Sequence, residues 1–108
     1  MWLTNFDPTI GHEIKKIRPA VIIQNNVGNK FGPITIVAPI TSKKIDNIIP
    51  VEVFLGKKYG LEKDSKALLS QIRAIDKRRI VKKVGSLDED AMSRVDNAIR
   101  ISFGLVNI

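Results

Sequence analysis

The segment KIRPAVIIQN, residues 16–25, predicts a buried β-strand with an arginine at its entrance. The four consecutive apolar residues 20–23 are mostly β-branched, which is typical of a strand covered on both faces. Arg18 comes just before this run, and Pro19 restricts the backbone beside it. Arg18 can simply lie with its head in water and its stem along the apolar edge. The fixed backbone can also aim its guanidinium at a ligand, and the segment alone leaves both interpretations open.

Other β-branched runs between Pro, Gly and Asn predict that the fold is mainly β. The alternation of Val51, Val53 and Leu55 with other residues is typical of a strand with one buried face. Short strands at this spacing favour a small barrel or a tightly curled sheet. The predicted strands are AVIIQ (20–24), ITIVAPI (34–40), VEVFL (51–55), KALLSQIRAI (66–75), a strand near 80–84 and an initial strand starting near Trp2.

The last quarter of the sequence changes to a helical period and predicts an amphipathic helix from Ser86 onward. Ser86 and Glu89 have the spacing of a capping box, and three acidic residues lie near the positive end of the helix dipole. We expect a single domain over residues 1–108. The apolar stripe contains Leu87, Ala91, Val95, Ala98, Ser102 and Leu105, widened by Met92, Ile99 and Phe103.

Composition narrows the classes of function. The net charge is +7 and the isoelectric point about 9.9. Residues 1–84 contain sixteen Lys and Arg against seven Asp and Glu, so the basic character belongs to the β region and favours polyanionic partners. The absence of cysteine excludes disulfides and thiolate nucleophiles, and a single histidine, His12, makes a conventional metal cluster a poor expectation. The sequence contains neither an apolar run of bilayer length nor a secretion signal, so we expect a cytoplasmic protein.

Two polar groupings are candidates for binding. Thr41 and Ser42 follow an apolar strand and precede two lysines, where hydroxyls and cations can hold a phosphate. A threonine at a strand end also commonly bonds to the local backbone. Gln71 and Arg73 are two residues apart and would share one face of a strand, offering an amide and a guanidinium to one ligand or forming an ordinary surface pair.

Taken together, these segments resemble the MazF/PemK family of toxin endoribonucleases from type II toxin–antitoxin pairs. The resemblance implies an SH3-like small barrel, as in CcdB/MazF plasmid-maintenance toxins, with a C-terminal amphipathic helix. It also implies a homodimer and sequence-specific, metal-independent cleavage of single-stranded RNA such as mRNA, without a cofactor, which inhibits translation and growth. The implied partner is an acidic, partly disordered, MazE-like antitoxin. The segments that carry the resemblance, in matching order and spacing, are GHEIKKIRPAVIIQNN (11–26), VAPITS (37–42), SQIRAIDKRRI (70–80) and VGSLDEDAMSRVDNAI (84–99).

The resemblance assigns roles to individual residues. Its catalytic arginine and threonine correspond to Arg18 and Thr41 in this sequence. Attack by the RNA 2′-hydroxyl requires charge stabilisation at phosphorus and a proton acceptor, for which Glu13 or His12 are the open alternatives. Two departures from the family pattern are that the chain opens inside the first strand, expected to be a short edge strand, and that Ala74 replaces a common threonine. The predicted RNA-binding residues are Glu13, Asn25, Ser42, Gln71 and Arg73.

Two other classes of protein fit part of the sequence. A CcdB-like toxin that binds DNA gyrase uses the same barrel and does not need the pair of Arg18 and Thr41. A basic nucleic-acid-binding barrel without activity would have the same size and charge. The combination of Arg18, the PITS segment and the QIR segment favours the nuclease over both.

Overall fold

The computed structural model describes residues 1–7, 17–23 and 32–107 of the chain, and its core is a curled antiparallel sheet. Seven strands are present in these ranges, and six of them follow the order β4-β5-β3-β2-β1-β7 while β6 also pairs with β3. This architecture, mainly β with one C-terminal helix, agrees with the predicted barrel-like fold. The strands are β1 (Trp2–Asn5), β2 (Ile17–Ile22), β3 (Ile34–Thr41), β4 (Glu52–Gly56), β5 (Ser65–Leu68), β6 (Arg73–Asp76) and β7 (Ile80–Lys83).

The first strand lies inside the sheet. One side of β1 pairs with β2, through pairs such as Thr4 with Arg18, and the other side pairs with β7. The prediction that β1 is an edge strand is therefore wrong. The long sequence separation between β1 and β7 hides this pairing from local patterns, since only the curled sheet brings the two strands together.

The predicted strand over 66–75 is interrupted. Three residues of β3 separate Val37 from Ile40, but their partners, Arg73 and Ala67, are six residues apart. The three additional residues form a 3₁₀ turn, Leu69–Gln71, that divides β5 from β6. Leu69 is fully buried, so the interruption inserts an extra side chain into the core. The single-strand prediction is wrong because a continuous apolar sequence does not reveal such an insertion.

The C-terminal helix α1 (Glu89–Ser102) begins later than predicted. Its N-cap is Asp88, whose side chain accepts a hydrogen bond from the Ala91 backbone N–H at 2.8 Å. The predicted cap at Ser86 is wrong, because aspartate is as good a cap as serine and Asp88 stands at the correct distance from the first apolar turn. The buried residues of α1 are Ala91, Val95 and Ala98.

The end of the predicted apolar stripe is exposed. The helix ends at Ser102, so Phe103 and Leu105, which are 60% and 70% exposed, do not extend its buried face. Within the described ranges, no helix combines the length and the apolar character needed to cross a bilayer.

Two apolar clusters lie on the two faces of the sheet. Val21 belongs to the larger cluster, which contains the buried face of α1 and Leu69, whereas Ala20 packs with Phe6, Val37 and Ile75 in the smaller cluster. Neighbouring residues of β2 thus contribute to opposite clusters, which confirms the prediction of a strand covered on both faces. The two clusters fix β2 and so provide a rigid base for Arg18.

Candidate functional site

The sheet places Arg18 and Thr41 next to each other in register. The last recorded pair between β2 and β3 toward this end of the sheet is Ala20 with Pro39. Antiparallel pairing continued by two residues on each strand sets Arg18 opposite Thr41, and opposite residues project from the same face. The two candidate catalytic residues, which are far apart in the sequence, therefore meet at one end of the sheet.

A pocket of about 600 Å³ opens at this end of the sheet. Arg18 and Thr41 both line it, together with Ser42, and Thr41 is only 5% exposed whereas Ser42 is exposed. The structure thus brings together three of the residues that were predicted from the sequence. The opposite wall consists of Gly60–Lys63 and Ser65, and the floor and remaining side are formed by Leu3 and residues 82–84.

The pocket is strongly basic. Its charged lining residues are Arg18, Lys63, Lys82 and Lys83 on the positive side and Glu62 on the negative side. Cations arranged around an open cleft attract phosphate groups and hold a nucleic-acid backbone in place. The site therefore has the electrostatic character expected for a polynucleotide substrate.

The hydroxyl group of Thr41 is oriented by the chain that follows it. Its Oγ1 accepts a hydrogen bond from the Lys43 backbone N–H at 3.2 Å. This is the local backbone bond that the sequence left open as an alternative, and the structure combines it with a place in the pocket. A hydroxyl has one donor besides its lone pairs, so Thr41 can accept from Lys43 and still donate its O–H to a ligand.

Two glycines hold the opposite wall against the sheet. A Cβ atom on Gly60, where φ is +94°, would lie 2.2 Å from the Val84 carbonyl oxygen, and one on Gly85 would lie 1.7 Å from the Tyr59 carbonyl oxygen. Both positions therefore require glycine, because any side chain would separate the two segments. This close packing sets the distance from the Gly60–Lys63 wall to Lys82 and Lys83.

The turn before this wall is tied to the helix. Tyr59 has a left-handed backbone (φ 61°), and its hydroxyl donates to the Asp88 Oδ2 at 3.3 Å. Partial removal from water, together with the nearby Asp88 carboxylate, raises the pKa of Tyr59 above its ordinary value of 10.0. Asp88 thus caps α1 with one oxygen and receives the turn with the other.

Gln71 and Arg73 lie apart from the residues that line the pocket. Gln71 ends the 3₁₀ turn and Arg73 begins β6, so the strand alternation that would give them a common face does not apply. The Arg73 Nη1 donates to the Phe6 carbonyl oxygen at 3.4 Å, and the guanidinium stacks over the Phe6 ring at 5.7 Å from its centre. An RNA-binding role for either residue stays a prediction.

The other predicted site residues, Glu13 and Asn25, lie outside the described residues, as does His12. Among residues 1–7, 17–23 and 32–107, no three His, Cys, Asp or Glu side chains are grouped so that they could hold a metal ion.

The sequence analysis missed the lysines of the pocket. Lys63 lies in a loop, and Lys82 and Lys83 end β7, where a basic run reads as a solvated surface. Their signal was the uneven charge distribution, which gave a basic β region without indicating which cations converge. The pairing of β7 with β1 makes the selection, since it places Lys82 and Lys83 opposite Leu3 and Trp2.

Comparison with known proteins identifies the family. A family model described as "PemK-like, MazF-like toxin of type II toxin-antitoxin system" matches residues 1–103. The chain is 41% identical over 108 residues to endoribonuclease EndoA of Bacillus subtilis (strain 168), covering 99% of this chain and 93% of that protein.

Solved structures agree on the fold. The Mycobacterium tuberculosis toxin MazF-mt6 superposes with a TM-score of 0.83 at 22% identity, covering 98% of this chain and 97% of that one. A mycobacterial endoribonuclease in complex with its cognate antitoxin gives 0.81 at 17% identity, covering 99% and 93%. The family match extends over nearly the whole chain, including both strands that carry Arg18 and Thr41. The chain therefore belongs to the PemK-like, MazF-like toxins of type II toxin–antitoxin systems.

Proposed function

We propose that the chain is an endoribonuclease that cuts single-stranded RNA in the pocket of Arg18 and Thr41. The observation that carries this proposal is the convergence of a guanidinium, an oriented hydroxyl and three lysines on one open pocket. The family match and the identity to an endoribonuclease support the same activity. The chain acts as the toxin of its pair, and cutting mRNA stops translation and growth.

The RNA supplies its own nucleophile. The 2′-oxygen attacks the adjacent phosphorus, the bond from phosphorus to the 5′-oxygen breaks, and the products are a 2′,3′-cyclic phosphate and a 5′-hydroxyl. Extra negative charge develops on the non-bridging oxygens as the phosphorane forms. Arg18 holds these oxygens with two parallel N–H bonds, and Thr41 donates its O–H to the same group. The reaction proceeds without a metal ion or cofactor.

Two proton transfers accompany the attack. The 2′-hydroxyl loses a proton and the leaving 5′-oxygen gains one. A guanidinium with a pKa above about 12 is a poor base. We therefore assign Arg18 to charge stabilisation, and Glu13 and His12 remain the two alternatives for the proton acceptor.

Recognition of the bases falls to side chains around this centre. Lys63, Lys82 and Lys83 hold the backbone on either side of the scissile phosphate. Ser42, at the exposed rim, contacts the adjoining nucleotide. The predicted contacts of Glu13, Asn25, Gln71 and Arg73 select the bases, through amides and charged groups that can pair with their exposed edges.

The proposed cellular partner is an acidic antitoxin. The chain is basic in its β region, and a partly disordered acidic segment that folds across the pocket would neutralise the lysines and exclude RNA. The family description and the mycobacterial complex with a cognate antitoxin support this partner. The active form is a homodimer in the cytoplasm. The gyrase-binding alternative has no support from the family match.

The deciding experiment is cleavage of one long single-stranded RNA in the presence of EDTA. We expect cuts at a short recurring sequence, with 2′,3′-cyclic phosphate ends on the upstream fragments. Arg18→Ala, purified in parallel, controls for a contaminating nuclease and is expected to be inactive. Equal cutting by both preparations, or dependence on a divalent ion, would contradict the proposal. Inhibition of DNA gyrase without any RNA cleavage would favour the second class of toxin.

A further inference from the structure

Lys66 is a lysine whose charge is buried within the sheet. It lies on β5, its side chain is 5% exposed, and its Nζ donates to three oxygens. The acceptors are the Glu52 Oε1 at 2.7 Å, the Lys44 carbonyl at 3.0 Å and the Asn47 carbonyl at 3.2 Å. An ammonium group has three N–H donors, so every donor of Lys66 is used.

The two backbone acceptors belong to the loop that follows Thr41, residues 42–51, which we call the β3–β4 loop. Lys44 has a left-handed backbone (φ 52°), a conformation that non-glycine residues adopt at a cost, so its carbonyl needs an external partner to hold it. Glu52 holds the far end of the same loop, because its Oε1 also accepts the Ile49 N–H at 3.2 Å. The ion pair of Lys66 and Glu52 thus attaches the loop to the sheet at three points.

The attachment begins next to Thr41. Lys66 is the direct cross-strand partner of Thr41. The Lys43 N–H that bonds to the Thr41 Oγ1 and the Lys44 carbonyl that bonds to Lys66 belong to adjacent residues. A change in the position of Lys44 must therefore turn the peptide that orients the Thr41 hydroxyl.

We propose that Lys66, together with Glu52, is a positioning residue for Thr41: it fixes the β3–β4 loop so that the Lys43 N–H holds the hydroxyl in its donating orientation. This inference rests on the proposed function of Thr41. A buried ion pair need not stabilise a protein more than an apolar pair would, so its presence next to the pocket calls for a role in placing groups. Lys66 touches no substrate and acts only through the loop.

The test is a double-mutant cycle in single-turnover cleavage of a short RNA that contains the mapped site. Lys66→Met is expected to lower the rate at saturating RNA about 10-fold while KM changes less than about 2-fold. In the Thr41→Val background, where the hydroxyl is absent, Lys66→Met is expected to lower the rate no further. An equal loss in both backgrounds would overturn the proposal, because Lys66 would then act independently of Thr41.

Two further variants separate positioning from loss of the fold. Lys66→Met combined with Glu52→Gln leaves no unpaired buried carboxylate and keeps an acceptor for Ile49, so it tests the proposal if the single variant does not fold. Arg94→Met is the matched control. Arg94 also donates to a carbonyl of this sheet, that of Phe54 at 2.6 Å, but from α1 and away from the pocket, and the cleavage rate is expected to be unchanged.

A measurement without RNA distinguishes failure of this inference from failure of the proposed function. Hydrogen exchange of the Lys43, Asn47 and Ile49 amides is expected to become at least about 10-fold faster in Lys66→Met, while exchange in α1 stays the same. Unchanged exchange at Lys43 would overturn the role of Lys66 even if the wild type cleaves RNA. A wild type that cuts no RNA would overturn the proposed function and the catalytic consequence, and faster exchange would still support the ordering of the loop by Lys66.

Discussion

Arg18 and Arg73 are both half-buried arginines on strands that flank β3, yet the fold uses them differently. Arg18 lies on β2 and lines an open basic pocket. Arg73 lies on β6 and is directed at Phe6, through a carbonyl bond and contact with the ring. The comparison teaches that the residue type and the strand position do not define a catalytic arginine. The surroundings of the guanidinium do, because only the pocket leaves room for a phosphate.

The largest difference is expected in the chemical step. Arg18→Ala should lower the single-turnover cleavage rate about 1000-fold, because the developing charge on phosphorus loses its two-point donor. Arg73→Ala should leave that rate within about 3-fold of the wild type, since its guanidinium lies outside the pocket. Equal losses in the two variants would remove the distinction between these arginines. Circular dichroism of both proteins provides the control for folding.

A second test asks whether Arg18 works with the residue opposite it. Thr41→Val preserves the shape of the buried side chain but removes the donor, and should lower the rate about 100-fold. Ser42→Ala, at the exposed position that follows, should raise KM several-fold with little change in the rate. If Ser42→Ala had the larger effect on the rate, the hydroxyl that faces the phosphate would be that of Ser42.

The lysines of the pocket should affect binding rather than chemistry. Replacing Lys82 and Lys83 by Gln should raise KM about 10-fold. It should also reduce the slope of log Kd against log salt concentration by about 1, because fewer counterions are released from single-stranded RNA. Titration of RNA binding at several salt concentrations measures this slope. The matched variant Arg94→Gln, on the far side of the sheet, should leave the slope unchanged.

The smallest effect is expected at Arg73 itself. Arg73→Met keeps apolar contact with Phe6 but loses the carbonyl bond and the cation–π contact, and should cost about 1 kcal/mol of unfolding free energy. If the predicted RNA contact exists, KM rises several-fold at constant kcat. Denaturant unfolding and steady-state kinetics on the same preparation separate these two consequences. A fall in kcat comparable with that of Arg18→Ala would contradict the proposed division of roles.

Much of the fold was predictable because it depends on local patterns. The run 34–40 and the alternation of Val53 and Leu55 predicted β3 and β4, and the apolar period predicted α1. Arg18 and Thr41 were identified only when the separate motifs were combined as a family resemblance. The interruption at Leu69–Gln71 was not predictable, because the number of residues that each side of β3 requires is set by its partners.

Tertiary structure alone decided the charged groups of the site. Lys66 is one of eighteen Lys and Arg residues, and its sequence context does not distinguish it from a solvated lysine. It is buried because β5 pairs with both β3 and β4 and because Glu52 and two loop carbonyls are there to receive it. Lys82 and Lys83 reach the pocket only because β7 pairs with β1 across almost the whole chain.

The sequence by itself determined the strands, the helix, the basic character of the β region and the two residues to which the cleavage chemistry is assigned. These depend on side-chain size, period and charge, which are properties of neighbouring residues. The structure decided which of the many cations surround one phosphate and which lysine holds the loop beside Thr41. Those choices depend on strand register, since pairing between distant segments sets the distances over which charges and hydrogen bonds act.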